Sequence, residues 1–540
     1  MRRRDFLTSA AAAGLALYPR VSAFGQNADS LVEVFVDEPI GTISRNIYGH
    51  FTEHIGGVIY DGVWVGKDSK VPNIGGIRKA LVEALRRIKA PVIRWPGGCF
   101  ADSYDWRDGI GPTDRRPTRT NFWEVDPDAR RLHEKGVQLF DTNAFGTNEF
   151  MQFCKLSQAE PYVAGNVRSL TALDFDHWVA YCNSPAGSTT FANMREADGA
   201  REPFNVRFWG VGNESWGCGG NFKPEDYASE FRRFTTWVPL FGQDLYFVGA
   251  GPADNDLDWT RRFFDQIFSG PHAYRNPHFR GWSVHHYSHA PHGDALHFGR
   301  EDWYALLRSG YEMEQILVDQ WAVMGEYDRE HRVKLVVDEY GSWHPEGTEI
   351  DPTHIFGEQI TIRDALLTAL TLDCFNRHAE KVDMANCAQL VNNLNALFLA
   401  HEEKFWATPN FYVFEMYAAH QDAQAVRAAF AAPRIPPSVT GFSKGFWGLK
   451  GSASLKGKSL TITAVNPSTD TPREARVRVR GANVSSAKAT VLSSDDIHAH
   501  NTYEQQDAVV PKQAQIRLEG QVLWFTFPAA SVTKLEVELV

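Results

Sequence analysis

Residues 206–220 read VRFWGVGNESWGCGG, and the fold can be worked outward from them. Val206, Phe208, Trp209 and Val211 make a short apolar, β-favouring run; Asn213 and Glu214 follow, and Gly217, Gly219 and Gly220 break the chain into a loop. That pattern predicts a strand buried on both faces that carries a carboxylate to its C-terminal tip. Residues 333–343, VKLVVDEYGSW, repeat the arrangement: Leu335, Val336 and Val337 run into Glu339, and Gly341 follows. One such Glu could be a rim group satisfied by loop amides. Two strands that each present Glu at the same end predict a carboxylate pair facing one cleft. Glycosidic bond cleavage uses such a pair, one carboxyl protonating the leaving oxygen while the other attacks or activates water.

The same rhythm of apolar run and polar tip extends from about residue 46 to 425. Candidate strands are 47–53, 91–98, 161–167, 206–214, 245–251, 281–288, 334–341 and 383–391, with periodic helical stretches between them such as 77–90, 225–238 and 358–378. Strands alternating with helices at this count predict an α/β fold, a (β/α)8 TIM barrel with its site at the C-terminal strand tips. From about 426 to 540 the chain changes character. Pro433, Pro436 and Pro437 interrupt the helical pattern, and alternating segments such as SLTITAVN and EARVRVRG predict an all-β domain, a β-sandwich. The early alternating run LVEVFVD, 31–37, is surplus to the barrel, so residues 24–45 are expected to add a strand to that sandwich.

Composition narrows the function classes. The 540 residues are 43% hydrophobic and 22% charged, and the net charge of -11 comes with no basic cluster after the N-terminus, which argues against nucleic acid as a partner. Arg2, Arg3 and Arg4 precede a mild apolar segment and the small-residue site Val21-Ser22-Ala23. Residues 1–23 are therefore expected to be an export signal of the twin-arginine type, and the protein periplasmic or secreted. The apolar segment is shorter than the ~20 residues of a membrane span, so no membrane partner is expected. The cysteines at 99, 154, 182, 218, 374 and 387 lack C-x-x-C spacing, and neither a zinc ribbon nor a dense disulfide framework is expected.

The chemistry-bearing residues collect at the expected strand tips: Glu53, then Arg94 with Trp95 and Cys99, Asn166, Asn213 with Glu214, His285 with Tyr287, Glu339, and Gln389. Any one of them is as readily a hydrogen-bonded rim group as a functional one; their recurrence at successive tips favours function. On GHFTEHIGG, RWPGGCFADSYDWRDGIGP, FGTNEF, WGVGNESWG, DEYGSW and AQLVNNLNALF the chain resembles glycoside hydrolase family 51, the α-L-arabinofuranosidases. The resemblance covers nearly all of the chain after the signal. It implies a (β/α)8 barrel with a jelly-roll sandwich built from both chain ends, and a retaining exo-hydrolase that needs no cofactor and no metal. It further implies Glu214 as acid/base and Glu339 as nucleophile, with Glu53, Arg94, Asn213, His285, Tyr287, Trp343 and Gln389 at sugar-contacting positions. Trp123 is the implied loop aromatic that packs on the sugar.

Two departures from the family pattern are expected to matter. Cys99 stands where Asn is usual, and a thiol is the weaker hydrogen-bond partner for a sugar. Tyr340 stands where Trp usually follows the nucleophile, which is expected to leave the chemistry intact and reshape the pocket wall. An arabinose-containing oligo- or polysaccharide is the expected partner, and a homo-oligomer is allowed. Retention predicts the two carboxyls roughly 5–5.5 Å apart. The rival readings are a β-xylosidase or endo-β-glucanase on the same barrel, a metal-dependent hydrolase using the His-rich run 285–297, and a non-catalytic carbohydrate-binding protein. The metal reading is weakened by the irregular spacing of those histidines, and the binding-protein reading leaves the two Glu tips unexplained.

Overall fold

The structure is a computed structural model that describes residues 28–127 and 129–540. The first strand, β1 (Ser30–Thr42), is followed by eight strands that close into a parallel barrel. These are β2 (Gly49–Phe51), β3 (Val92–Trp95), β4 (Glu160–Gly165), β5 (Phe208–Val211), β6 (Tyr246–Gly249), β7 (Phe279–Ser288), β8 (Lys334–Ser342) and β9 (Val382–Cys387). Each falls within or beside a stretch expected from its apolar run. Neighbours in the barrel are neighbours in sequence, and β9 closes the ring onto β2 through Asn386 opposite Gly49.

Alternation explains why these runs close into a ring. Val92, Tyr162, Phe208, Tyr246, Val248, Val336 and Met384 form one buried cluster drawn from six strands, while the intervening residues pack outward on helices. Val336 and Val337 are both fully buried, so this strand has no solvent face to mark with polar residues. Helices Lys79–Ile88, Pro224–Thr235 and Ile362–Arg377 form where the 3.6-residue periodicity predicts them. The last starts on a capping box in which Thr361 and Asp364 exchange hydrogen bonds, and every residue from Ile362 to Asn376 is buried. It is apolar on all sides because it has two neighbours, the barrel on one flank and the C-terminal sheet on the other.

That sheet has ten strands in the order Lys512–Ala514, Val484–Ser493, Ser531–Leu539, Ser459–Asn466, Lys450–Lys456, Gln424–Ala431, β1, Arg473–Arg480, Val522–Phe527 and Arg517–Glu519. As expected, the N-terminal strand belongs to it. Strand β1 pairs antiparallel with Gln424–Ala431, Leu31 opposite Ala431, and parallel with Arg473–Arg480, Leu31 opposite Arg476. Val32, Val34, Ile462, Val477, Leu523, Leu535 and Val537 converge from one face of the sheet on a second core. Asp373, on the buried helix, ties the sheet to the barrel: its carboxylate accepts the hydroxyls of Ser452 at 2.7 Å, Thr463 at 2.5 Å and Tyr417 at 2.9 Å. Among the described residues no helix is long and apolar enough to cross a membrane.

Candidate active site

The ends of β2, β3, β5, β7, β8 and β9 open on one cleft, and Glu214 and Glu339 face each other in it. Glu339 is held at both oxygens: the Arg94 guanidinium donates to Oε1 at 2.8 Å and the Tyr287 hydroxyl donates to Oε2 at 2.8 Å. Glu214 Oε1 is bonded to His285 Nδ1 at 2.9 Å. One oxygen of each carboxylate and a His285 nitrogen all lie within 4.8 Å of one another.

Close packing at this spot accounts for the local glycines. A side chain on Gly98 would bring its Cβ to 2.6 Å from Glu339 Oε1, and one on Gly219 would lie 1.8 Å from the Asn213 carbonyl oxygen. Glu214 itself has φ of 41°, in the left-handed region that costs a non-glycine residue on the order of 1–3 kcal/mol. The glycine-rich turn offsets this, with the N–H groups of Gly217 and Gly219 donating to the Glu214 carbonyl at 2.7 and 3.2 Å.

The surrounding charges balance. Arg94 also donates to Asn213 Oδ1 at 2.6 Å, which fixes the Asn213 amide, and its Nε lies 3.6 Å from Asp338. Burial works against the Arg94 cation, but the charges of Asp338 and Glu339 outweigh it and lift its pKa above the usual range. His285 behaves likewise: burial disfavours the imidazolium, while the charge of Glu339 and hydrogen bonds to Asp338 and Glu214 raise it to about 10. Glu53 is 3% exposed and accepts the N–H groups of Gly98 at 2.9 Å and Phe100 at 3.0 Å, and the Gln389 amide donates to its other oxygen at 3.0 Å. Burial, then the charge of Glu339, pushes its carboxyl up to about 7.

The His285 shift yields a stability test. The folded state holds a proton on His285 that the unfolded chain releases near its ordinary pKa of about 6.5. The associated stability is complete below that pH and is lost as pH rises toward about 10. His285→Gln should therefore flatten the fall of Tm between pH 7 and 10 as well as lowering Tm at pH 7. Parallel wild-type and variant curves across that window would refute the assignment.

The remaining expected residues sort as follows. Trp343 lies edge-on to Tyr287 at 5.2 Å and to Phe356 at 5.1 Å, and Trp123 lies edge-on to the far side of that group, 5.7 Å from Phe356. Asn166 turns away and donates to Ser169 Oγ at 2.7 Å and to the Tyr104 carbonyl at 3.1 Å, clamping its own loop. Tyr340 does not reshape the pocket wall as expected. It points out of the barrel and lies edge-on to Phe375 of the buried helix at 5.2 Å. Cys99 requires a second correction: it carries no thiol, because it is bonded to Cys218, with Cα atoms 5.5 Å apart. The other cysteines, 154, 182, 374 and 387, are buried free thiols.

Sequence reading misses Asp338 and Asp102. Asp338 lies inside the barrel one strand layer above Val336, where it accepts Tyr162 at 2.8 Å and Ser283 at 2.5 Å and faces His285 Nε2 at 3.2 Å. Burial raises its pKa less than the Arg94 charge and the His285 contact lower it, so it stays below the usual carboxylate range. Asp102 accepts the N–H groups of Asn213 at 2.8 Å and Val167 at 2.7 Å, linking the tips of β4 and β5. A charged residue two places after an inward-facing valine is the available signal for Asp338.

Glu214, His285 and Glu339 together present enough donor atoms for a cation, yet both His285 nitrogens already face carboxylates and Arg94 supplies the positive charge beside Glu339. The space is poorly suited to a metal ion. Three of the other histidines in 285–297 are bonded away from the cleft: His286 to the Ser309 carbonyl, His289 to the Trp343 carbonyl and His297 to Asp294. Away from the cleft, Asp61 lies 3.0 Å from His401 and 3.5 Å from His354, which ties the loop after β2 to the loop after β8 and to the strand Phe398–His401.

Comparison with known proteins agrees with this geometry. Residues 84–292 match the family model described as alpha-L-arabinofuranosidase 1 domain, and residues 338–531 the one described as alpha-L-arabinofuranosidase C-terminal domain. The chain is 32% identical to an intracellular exo-alpha-L-arabinofuranosidase of Bacteroides ovatus, over 94% of this chain and 95% of that one. It is similar to the crystal structure of a GH51 arabinofuranosidase from Xanthomonas axonopodis pv. citri, at a TM-score of 0.86 and 34% identity over 94% of this chain and 100% of that one. An arabinose complex of the alpha-L-arabinofuranosidase from Thermotoga maritima gives a TM-score of 0.81 and 28% identity, again covering 94% and 100%. The Bacteroides relative also overturns the expectation of a periplasmic or secreted protein, since an enzyme alike along nearly the whole chain is described as intracellular. The stretch expected to be an export signal, 1–23, lies outside the described residues.

Proposed function

The chain belongs to glycoside hydrolase family 51, the α-L-arabinofuranosidases, and we propose that it is a retaining exo-enzyme releasing terminal α-L-arabinofuranosyl groups from arabinose-containing plant polysaccharides or oligosaccharides. In this reading Glu339 attacks the anomeric carbon, with Arg94 and Tyr287 fixing the orientation of its carboxylate. Glu214 protonates the departing oxygen. His285 occupies Oε1, which leaves Oε2 to carry that proton. The resulting glycosyl ester on Glu339 is then hydrolysed by a water that Glu214, now ionised, deprotonates.

The remaining side chains suit the sugar. With Asn213 Oδ1 committed to Arg94, its amide hydrogens are available to the 2-hydroxyl, an interaction that strengthens as positive charge develops on the ring. Glu53 and Gln389 form a buried hydrogen-bonding pair for further hydroxyls. Trp343, Phe356 and Trp123 offer the apolar wall that a furanose ring packs against. Asp338 and Asp102 act one layer back, on the groups that touch the substrate.

The observation that carries the mechanism is the approach of the two carboxylates, with oxygens within 4.8 Å. So close an approach of two oxygens supports direct attack, for which the carboxyl groups sit ~5–5.5 Å apart, over the ~6.5–9.5 Å spacing that leaves room for an intervening water. The test is stereochemical. Proton NMR of the first product formed from a 4-nitrophenyl α-L-arabinofuranoside should reveal the α anomer before mutarotation; initial appearance of the β anomer would sink the retaining reading. Faster hydrolysis of the matching β-D-xyloside or β-D-glucoside in the same assay would sink the substrate assignment.

A further inference from the structure

The Glu214 carboxyl is held between two unlike neighbours. Its Oε1 meets the His285 imidazole at 2.9 Å, and its Oε2 lies 3.6 Å from Cys218 Sγ and 3.8 Å from Cys99 Sγ. These sulfurs are bonded to each other and carry no hydrogen to donate. The Oε2 side is thus packed by a disulfide without being occupied by a hydrogen-bond donor. Cys99 follows the β3 tip and Cys218 lies in the glycine-rich turn after β5, 119 residues later, so the bond reaches past β4 and fixes that turn against the β3 end. Asn213 Nδ2 also approaches Cys218 Sγ, at 3.9 Å.

We propose that Cys218, through its bond to Cys99, is a positioning residue for the Glu214 carboxyl, and that cleavage of this bond by a dithiol selectively slows the proton-dependent chemistry of the site. The proposal rests on the reading of Glu214 as proton donor. Both cysteines are partly exposed at the cleft, whereas the other four are buried thiols. Exchange with a solvent reductant is therefore confined to this pair. The step balances: the dithiol gives up two electrons and two protons and closes to a cyclic disulfide, while the Cys99–Cys218 bond opens to two thiols.

Two effects then follow from the geometry. The freed thiols gain S–H donors directed at Oε2, the oxygen that must carry the transferred proton. The turn 217–220 also loses its covalent anchor to the β3 end, leaving hydrogen bonds such as those from Gly217 and Gly219 to hold Glu214 in its left-handed backbone conformation. Glu339 keeps Arg94 and Tyr287 and is untouched.

The test uses the full-length enzyme, oxidised and after dithiothreitol, with mass spectrometry reporting the gain of two hydrogens. On an alkyl α-L-arabinofuranoside, whose leaving group needs the proton, reduction should lower kcat/KM about ten-fold, part of the ~10²–10⁴-fold that such proton transfer contributes. On a 2,4-dinitrophenyl arabinofuranoside, which leaves without a proton, kcat/KM should change less than about three-fold. Reoxidation with glutathione disulfide should restore the oxidised values. The double variant Cys99→Ser, Cys218→Ser should carry the same leaving-group-dependent loss and ignore dithiothreitol. Equal loss on both substrates would mark the bond as merely structural, and no loss on either, with two hydrogens gained, would overturn the proposal. Because the reduction arm is performed on the wild-type chain, it decides the matter even if the double variant misfolds. Glu214→Ala run alongside separates the failures: if it has no leaving-group-dependent loss, the proton-donor reading falls; if it does and the reduced enzyme does not, only the present inference falls.

Discussion

Glu339→Ala should lower kcat on every arabinofuranoside, activated or not, by about 10⁴-fold or more, because no other group in the cleft can form the glycosyl ester. Glu214 faces Glu339 and serves as the acid/base, and the other nearby carboxylates are engaged: Asp338 is buried among Arg94, His285, Tyr162 and Ser283, and Glu53 is turned onto the N–H groups of Gly98 and Phe100. Loss should be independent of leaving group, which separates it from a defect in proton transfer. Circular dichroism and binding of free arabinose would check that the variant still folds. A residual rate within a hundred-fold of wild type on a folded protein would remove Glu339 from the nucleophile role.

The second large effect is conditional. Glu214→Ala should lose about 10²–10⁴-fold on alkyl and oligosaccharide substrates, where the departing oxygen needs a proton. On a dinitrophenyl arabinofuranoside the first step should survive near its wild-type rate, and the ester on Glu339 should then accumulate as a burst, since the water that must attack it has lost its base. Azide needs no deprotonation, so adding it should restore turnover and yield an arabinofuranosyl azide. Uniform loss on all substrates with no azide rescue would remove Glu214 from the acid/base role.

The barrel is legible in the sequence because its strands are buried on both faces. Runs such as Leu335–Val337 and Phe208–Val211 have no solvent side to blur the pattern, and each ends where a polar tip begins. The pair Glu214 and Glu339 is readable for the same reason. What is not readable lies one layer inward or off the strands. Asp338 hides beside Glu339, yet the alternation that turns Val336 into the barrel turns Asp338 there too, and its partners Tyr162 and Ser283 come from strands far away in sequence. The Cys99–Cys218 pairing has no local signature at a separation of 119 residues; it exists because the loops after β3 and β5 meet across the tip of β4. The direction of Tyr340 escapes a linear reading, since whether a residue faces pocket or helix depends on a pleat that an irregular register between β8 and β9 shifts near the tip.

The position of β1 has a consequence for how the molecule is made. It is an interior strand of its sheet, flanked by Gln424–Ala431 and Arg473–Arg480, so both of its hydrogen-bonding edges are filled by chain synthesised after the barrel. At ~5–20 residues per second, the ribosome needs roughly 20–80 s to travel from Thr42 to Gln424. For that interval a thirteen-residue segment with both edges bare must wait while the eight-strand ring assembles behind it. The nascent polypeptide is thus open to chaperone capture or misassociation along β1, and that strand is secured only when residues 424–431 and 473–480 return to claim it.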